Sequence, residues 1–139
     1  MRRGATLSEL VMVLTIIGIL ALVARPAFGG LYDRAAVISA TSEVVALIGA
    51  ARQHAITEGR IVAVRLDAPS GRVIAFADRD TFHLRDVRQT HGVTLITSRD
   101  SIAFYPTGRG YGAANTSVIL ERGQAADTIL VSRLGRVRR

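Results

Sequence analysis

Residues 10–24 read LVMVLTIIGILALVA, fifteen positions at which only Thr15 and Gly18 interrupt the aliphatic side chains. A helix that crosses about 30 Å of hydrocarbon needs about 20 residues, so this run alone falls short of a span. Arg2 and Arg3 lie ahead of it and form a positive flank, which the positive-inside rule keeps cytoplasmic. A conventional secretory signal fits badly. Leu22 and Ala24 do not make a small-residue cleavage pattern, and Arg25 and Pro26 follow directly. A core helix of a soluble protein fits no better, because the run is apolar on every face and the roughly one hundred residues that follow could hardly cover it.

A third reading accounts for the awkward length and for Glu9 at the start of the run. Cleavage between Gly4 and Ala5 leaves residues 5–24, about 30 Å of helix, as the span. A carboxylate inside a membrane helix is costly, about 2.5–3.5 kcal/mol at mid-bilayer and less near the interface, and usually has a partner. The new amine of Ala5 would lie four residues before Glu9 on the same helix face. The helix dipole also favours a negative charge in the first turn.

These residues resemble the type III signal of type IV pilins and type II secretion pseudopilins. That pattern is a short basic leader ending in Gly, Glu as the fifth mature residue, a mid-helix Gly and a Pro ending the apolar stretch. Gly4, Glu9, Gly18 and Pro26 match it one by one. Ala5 departs from the usual Phe or Met, and Ser8 from the usual aliphatic residue. The resemblance implies a prepilin peptidase that cuts after Gly4 and N-methylates Ala5. It implies subunits held in the inner membrane by a single pass, with the C-terminal domain in the periplasm, and then extracted into a filament of packed N-terminal helices. There Glu9 of an incoming subunit would neutralise a neighbour's amine. The expected organisation is a leader over 1–4, a transmembrane and filament-core helix over 5–25, and a periplasmic domain over 26–139.

Pro26 and Gly29-Gly30 are expected to interrupt the helix. Helical periodicity returns over 31–58: Val37, Thr41, Val44, Ile48, Ala51 and Ala55 recur at three and four residues, with Ile38, Val45 and Ile56 widening the stripe. Gly59 is a helix stop. From Ile61 the period becomes two, with β-prone runs at 61–66, 72–76, 81–86, 93–97, 101–105, 116–121 and 128–132. Turn chemistry falls at Asp67-Ala68-Pro69-Ser70-Gly71, Thr107-Gly108-Arg109-Gly110 and Arg122-Gly123-Gln124. A long helix followed by strands predicts an α+β fold, with an amphipathic helix over 31–58 and an antiparallel β domain over 61–139.

Later segments sharpen the resemblance. Ala51-Arg52, Ala55-Ile56, Gly59 and Val62-Ala63-Val64 are similar to the end-of-helix and first-strand signature of the GspH/FimT family of minor pseudopilins. Phe104-Tyr105-Pro106-Thr107-Gly108 is similar to its F-x-P-x-G segment, and Gly135-Arg136-Val137-Arg138 to its terminal GRxR.

Chemistry beyond assembly finds little support. Cysteine is absent, which excludes disulfides, thiolate nucleophiles and Cys-ligated metals. His54, His83 and His91 share no ligand spacing, and Asp78 and Asp80 lack the EF-hand pattern. Ser98, Ser101, Ser117 and Ser132 have no nucleophile elbow. Gly108-Arg109-Gly110-Tyr111-Gly112 reads as a tight turn rather than a phosphate cradle. No enzyme and no cofactor is expected.

The net charge of +7 comes from 18 basic residues, all arginine, against 11 acidic ones. Arg133, Arg136, Arg138 and Arg139 close the chain with no acid among them, while residues 5–132 carry twelve arginines against eleven acids. Guanidiniums pair bidentately with phosphate, and Arg136 and Arg138 share a face in an extended strand. Terminal GRxR in FimT-like pilins is associated with DNA uptake, and relatives serving secretion carry it too. Tyr105 and Tyr111 lie far off in sequence, which leaves base stacking without support. Two readings follow: a structural minor pseudopilin of a type II secretion system pseudopilus, or a minor type IV pilin that captures DNA through the arginine tail. The partners expected are other pilins or pseudopilins, prepilin peptidase, the inner membrane and, in the second reading, DNA.

Overall fold

A computed structural model describes residues 6–78, 80–111 and 115–139, and of 23–28 the backbone alone. Gly4 and Ala5 lie outside the described residues, as do Arg79 and Gly112. The fold is a long N-terminal helix followed by antiparallel β-sheets. It divides into two compact units, the first ending at Tyr32 and the second beginning at Asp33.

Helix α1 runs over Leu7–Glu58. Its apolar stretch Leu7–Leu22 is exposed throughout, with Leu10, Met12, Leu14, Ile17 and Leu20 projecting from different sides of the helix. Such a surface requires lipid or other apolar helices around it. Thr15 is accommodated because its hydroxyl donates to the Val11 carbonyl at 2.8 Å.

The expected break at Pro26 and Gly29-Gly30 is absent, and the helical backbone continues through all three. Proline costs a helix interior about 3 kcal/mol, through a lost N–H bond and the clash of its ring with the carbonyl four residues back, and each glycine about 1 kcal/mol. Helix α1 absorbs these costs without a break over its 52 residues.

In the second unit, α1 buries Val37, Thr41, Val44, Ile48, Ala51 and Ala55, the stripe expected from the sequence. It widens toward Ala40 and Leu47, whereas Ile38 and Ile56 on the other flank stay exposed. Gly29–Glu58 is long and apolar enough to cross a membrane by composition, yet its buried stripe is occupied by the sheets. Gly59, at φ +66°, ends the helix in the left-handed conformation.

The strands are β1 Val62–Asp67, β2 Arg72–Ala77, β3 Asp80–Asp86, β4 Thr94–Thr97, β5 Ser101–Phe104, β6 Gly110–Tyr111, β7 Thr116–Arg122, β8 Ala125–Val131 and β9 Val137–Arg138. One sheet has the order β3-β2-β1-β5-β6 and the other β4-β7-β8-β9, with every pairing antiparallel. Alternate residues face inward. Val62, Val64 and Leu66 of β1 and Ile102 and Phe104 of β5 join Leu95, Val118, Leu120, Ile129 and Val131 from the second sheet in one core with α1.

Three elements escape period-two reading. Helix α2, Val87–His91, lies between β3 and β4. Asp86 caps it, its Oδ1 accepting the Gln89 N–H at 2.8 Å, and Gly92 closes it at φ +64°. That backbone N–H holds the Asp86 carboxyl below the usual aspartate range, and Arg72, 3.2 Å from Oδ2, adds to the effect. Strands β6 and β9, two residues each, are too short to carry a period.

Candidate functional site

The exposed end of α1 is built by a local motif. Thr6-Leu7-Ser8-Glu9 has the spacing of a capping box, and the bonds are those of one. Glu9 Oε2 accepts the Thr6 backbone N–H at 2.9 Å and the Thr6 hydroxyl at 3.1 Å, while the Glu9 N–H reaches Thr6 Oγ1 at 3.4 Å. The carboxylate therefore has partners within its own first turn. The pairing expected with the Ala5 amine lies outside the described residues. Thr6 carries the signal that reading Glu9 against Ala5 alone overlooks.

The terminal arginines do not act as one cluster. After β8 the chain turns through 132–135, where Gly135 N–H donates to Ser132 O and Ser132 N–H to Arg136 O, both at 2.9 Å. Strand β9 then pairs Val137 with Val131 and Arg138 with Leu130. Arg139 is held by Asp127, Nε to Oδ2 at 2.5 Å. Arg136 and Arg138 line the same two grooves, as expected for positions two apart on a strand. Arg133 is exposed, and its carbonyl accepts the Gly110 N–H at 3.1 Å. Among the described residues, Arg133, Arg136 and Arg138 have no carboxylate partner.

That Gly110–Arg133 bond corrects the isolation of the tyrosines. It brings the β6 region to the tail, and Tyr105 and Tyr111 stand edge to face at 4.8 Å between centroids, both exposed. The three sequence signatures also meet here. Arg52 Nε donates to Gly108 O at 2.8 Å, and a Cβ on Gly135 would lie 2.6 Å from that oxygen and 3.3 Å from Phe104. Gly108 and Gly135 adopt φ of +73° and +71°. Helix end, F-x-P-x-G turn and the glycine of GRxR are thus one packing junction.

The remaining polar residues serve local structure. His54 stacks on Phe82 at 4.2 Å, and His91 lies 3.3 Å from Glu43. His83 is on the edge strand β3. Among the described residues no three His, Asp or Glu side chains gather where a metal ion could sit. Asp78 takes φ +53° in a turn and lies 3.7 Å from Arg60.

Comparison with known proteins bears on this geometry. The family described as type II transport protein GspH matches residues 40–135, which include the helix end, the F-x-P-x-G turn and Gly135. The fold is similar to the Pseudomonas aeruginosa type IV minor pilin FimU, with a TM-score of 0.65 and 15% identity, over 78% of this chain and 90% of that one. It is also similar to the minor pseudopilin EpsH from the Type 2 Secretion System of Vibrio cholerae, with a TM-score of 0.55 and 17% identity, over 73% of this chain and 92% of that one. No curated protein matches the chain by sequence.

Proposed function

This chain belongs to the GspH family, and on that premise we propose that it is a minor pseudopilin of a type II secretion pseudopilus. Family and fold are those of structural pilins, with a role in type II secretion or a type IV pilus and assembly with other pilin subunits. The observation that carries the reading is the uncovered apolar stretch Leu7–Leu22 headed by the internally bonded carboxylate of Glu9. In this reading prepilin peptidase cuts after Gly4 and methylates Ala5, and the helix anchors the chain in the inner membrane with residues 26–139 in the periplasm. Glu9 then engages a neighbour's amine as subunits enter the filament. The role is structural and needs no cofactor.

The test is Glu9→Gln in cells producing fibres. Membrane levels should hold, and the subunit should be lost from sheared fibres. Undiminished incorporation removes the reading. Mass spectrometry of membrane-extracted protein should show a chain beginning at methylated Ala5.

A second reading, a minor type IV pilin capturing DNA in uptake, gains support from the exposed tyrosines brought beside Arg133. Full-length protein in detergent would then bind duplex DNA at low salt with a steep salt dependence. Arg136→Ala with Arg138→Ala should abolish that binding. Absence of binding at low salt removes this alternative.

A further inference from the structure

Strand β9 leaves an edge open. Ser132 N–H bonds to Arg136 O, so by antiparallel alternation the next pair, Val131–Val137, is not hydrogen-bonded. Val137 therefore turns its N–H and C=O away from β8, and neither has a backbone partner among the described residues. It lines a groove of about 430 Å³ whose opposite wall is Val45, Gly49, Arg52 and Gln53 of α1. Arg136 and Arg138 also line this groove, so three guanidiniums surround it with no carboxylate.

Gly49 contributes bare backbone to the α1 wall, and an added Cβ there would meet nothing within 4 Å, so a larger side chain at this position would extend into the groove without disturbing the core.

We infer that this groove receives an extended acidic segment of a partner subunit, added as a strand along the free edge of β9. This rests on the filament reading and names the chemistry of a subunit contact. The added strand would meet both backbone groups of Val137 and place carboxylates two residues apart against Arg136 and Arg138. A nucleic-acid phosphate offers acceptors only and leaves the Val137 carbonyl unmet. A second copy of this chain brings the same excess of arginine over acid, which opposes its approach.

The experiment uses the full chain in detergent with two fluorescent octapeptides, one alternating Glu with Val and the other Lys with Val. The Glu peptide should bind at least tenfold tighter and slow hydrogen exchange at the Val137 amide. Gly49→Leu should weaken it at least tenfold while leaving Tm unchanged or raised, since leucine is the better helix former. Arg136→Glu with Arg138→Glu should invert the preference between peptides. Equal binding of the two peptides, full binding by Gly49→Leu, or a peptide-free dimer that Gly49→Leu dissolves each overturns the inference. Incorporation of Glu9→Gln into fibres is read separately, so loss of the groove and loss of the filament role give different results.

Discussion

The carbonyl oxygen of Gly108 occupies the space next to Gly135 that any side chain there would need, 2.6 Å from an added Cβ. Arg52 clamps the same oxygen from α1 at 2.8 Å. Gly135→Ala must accept both the left-handed backbone and this clash, at about 2–4 kcal/mol. Thermal melts of the detergent-solubilised chain should show a large fall in Tm, and Gly18→Ala, where an added Cβ meets nothing within 4 Å, should show none.

Asp33 and Arg122 tie the β7–β8 hairpin to α1, with Nε 2.8 Å from Oδ1 and the same guanidinium bonded to the His91 carbonyl. A double-mutant cycle of Asp33→Asn and Arg122→Met should give a coupling of about 1 kcal/mol. The coupling should shrink as salt rises from 0.01 M to about 1 M.

The Asp86 carboxyl titrates below its ordinary value because the charged form accepts the Gln89 N–H and faces Arg72. Its contribution to stability is therefore complete above the pKa of an unfolded aspartate and disappears as pH falls through the lowered native one. Asp86→Asn retains a capping side chain without the charge. Its Tm deficit should be greatest near neutrality and should close in acid, as read from melts across pH.

Thr41 is fully buried in the stripe of α1, and its hydroxyl has no hydrogen-bond partner among the described residues. Thr41→Val removes the stranded polar atom at nearly constant shape and should stabilise the protein by about 1 kcal/mol. A lower denaturation midpoint for this variant would show that the hydroxyl is satisfied in solution.

The sequence is most legible where one interaction repeats along many residues. The stripe from Val37 to Ala55 and the alternation of β1, β2 and β7 each rest on burial of successive side chains. It is least legible where a single contact decides. Helix α2 depends on one cap at Asp86 and one left-handed glycine at Gly92, and its five residues are too few for periodicity. The site divides in the same way. Val137 and the arginines beside it can be placed on faces from spacing, whereas the capture of Arg139 by Asp127 joins the residue after β9 to one in β8. The tyrosines are brought to the tail by the Gly110–Arg133 bond and by the packing of Gly108 on Gly135, which neither segment announces.

The closed box formed by Thr6 and Glu9 changes what joining a fibre entails. For a subunit of the kind proposed, the acid does not wait bare in the bilayer for a stranger's terminus; it already has a companion. For the carboxylate, docking is then a trade of one companion for another, and what it contributes is the difference between the two. Most of what holds such a fibre together must then come from the greasy flanks of its helices, with the acid setting their alignment.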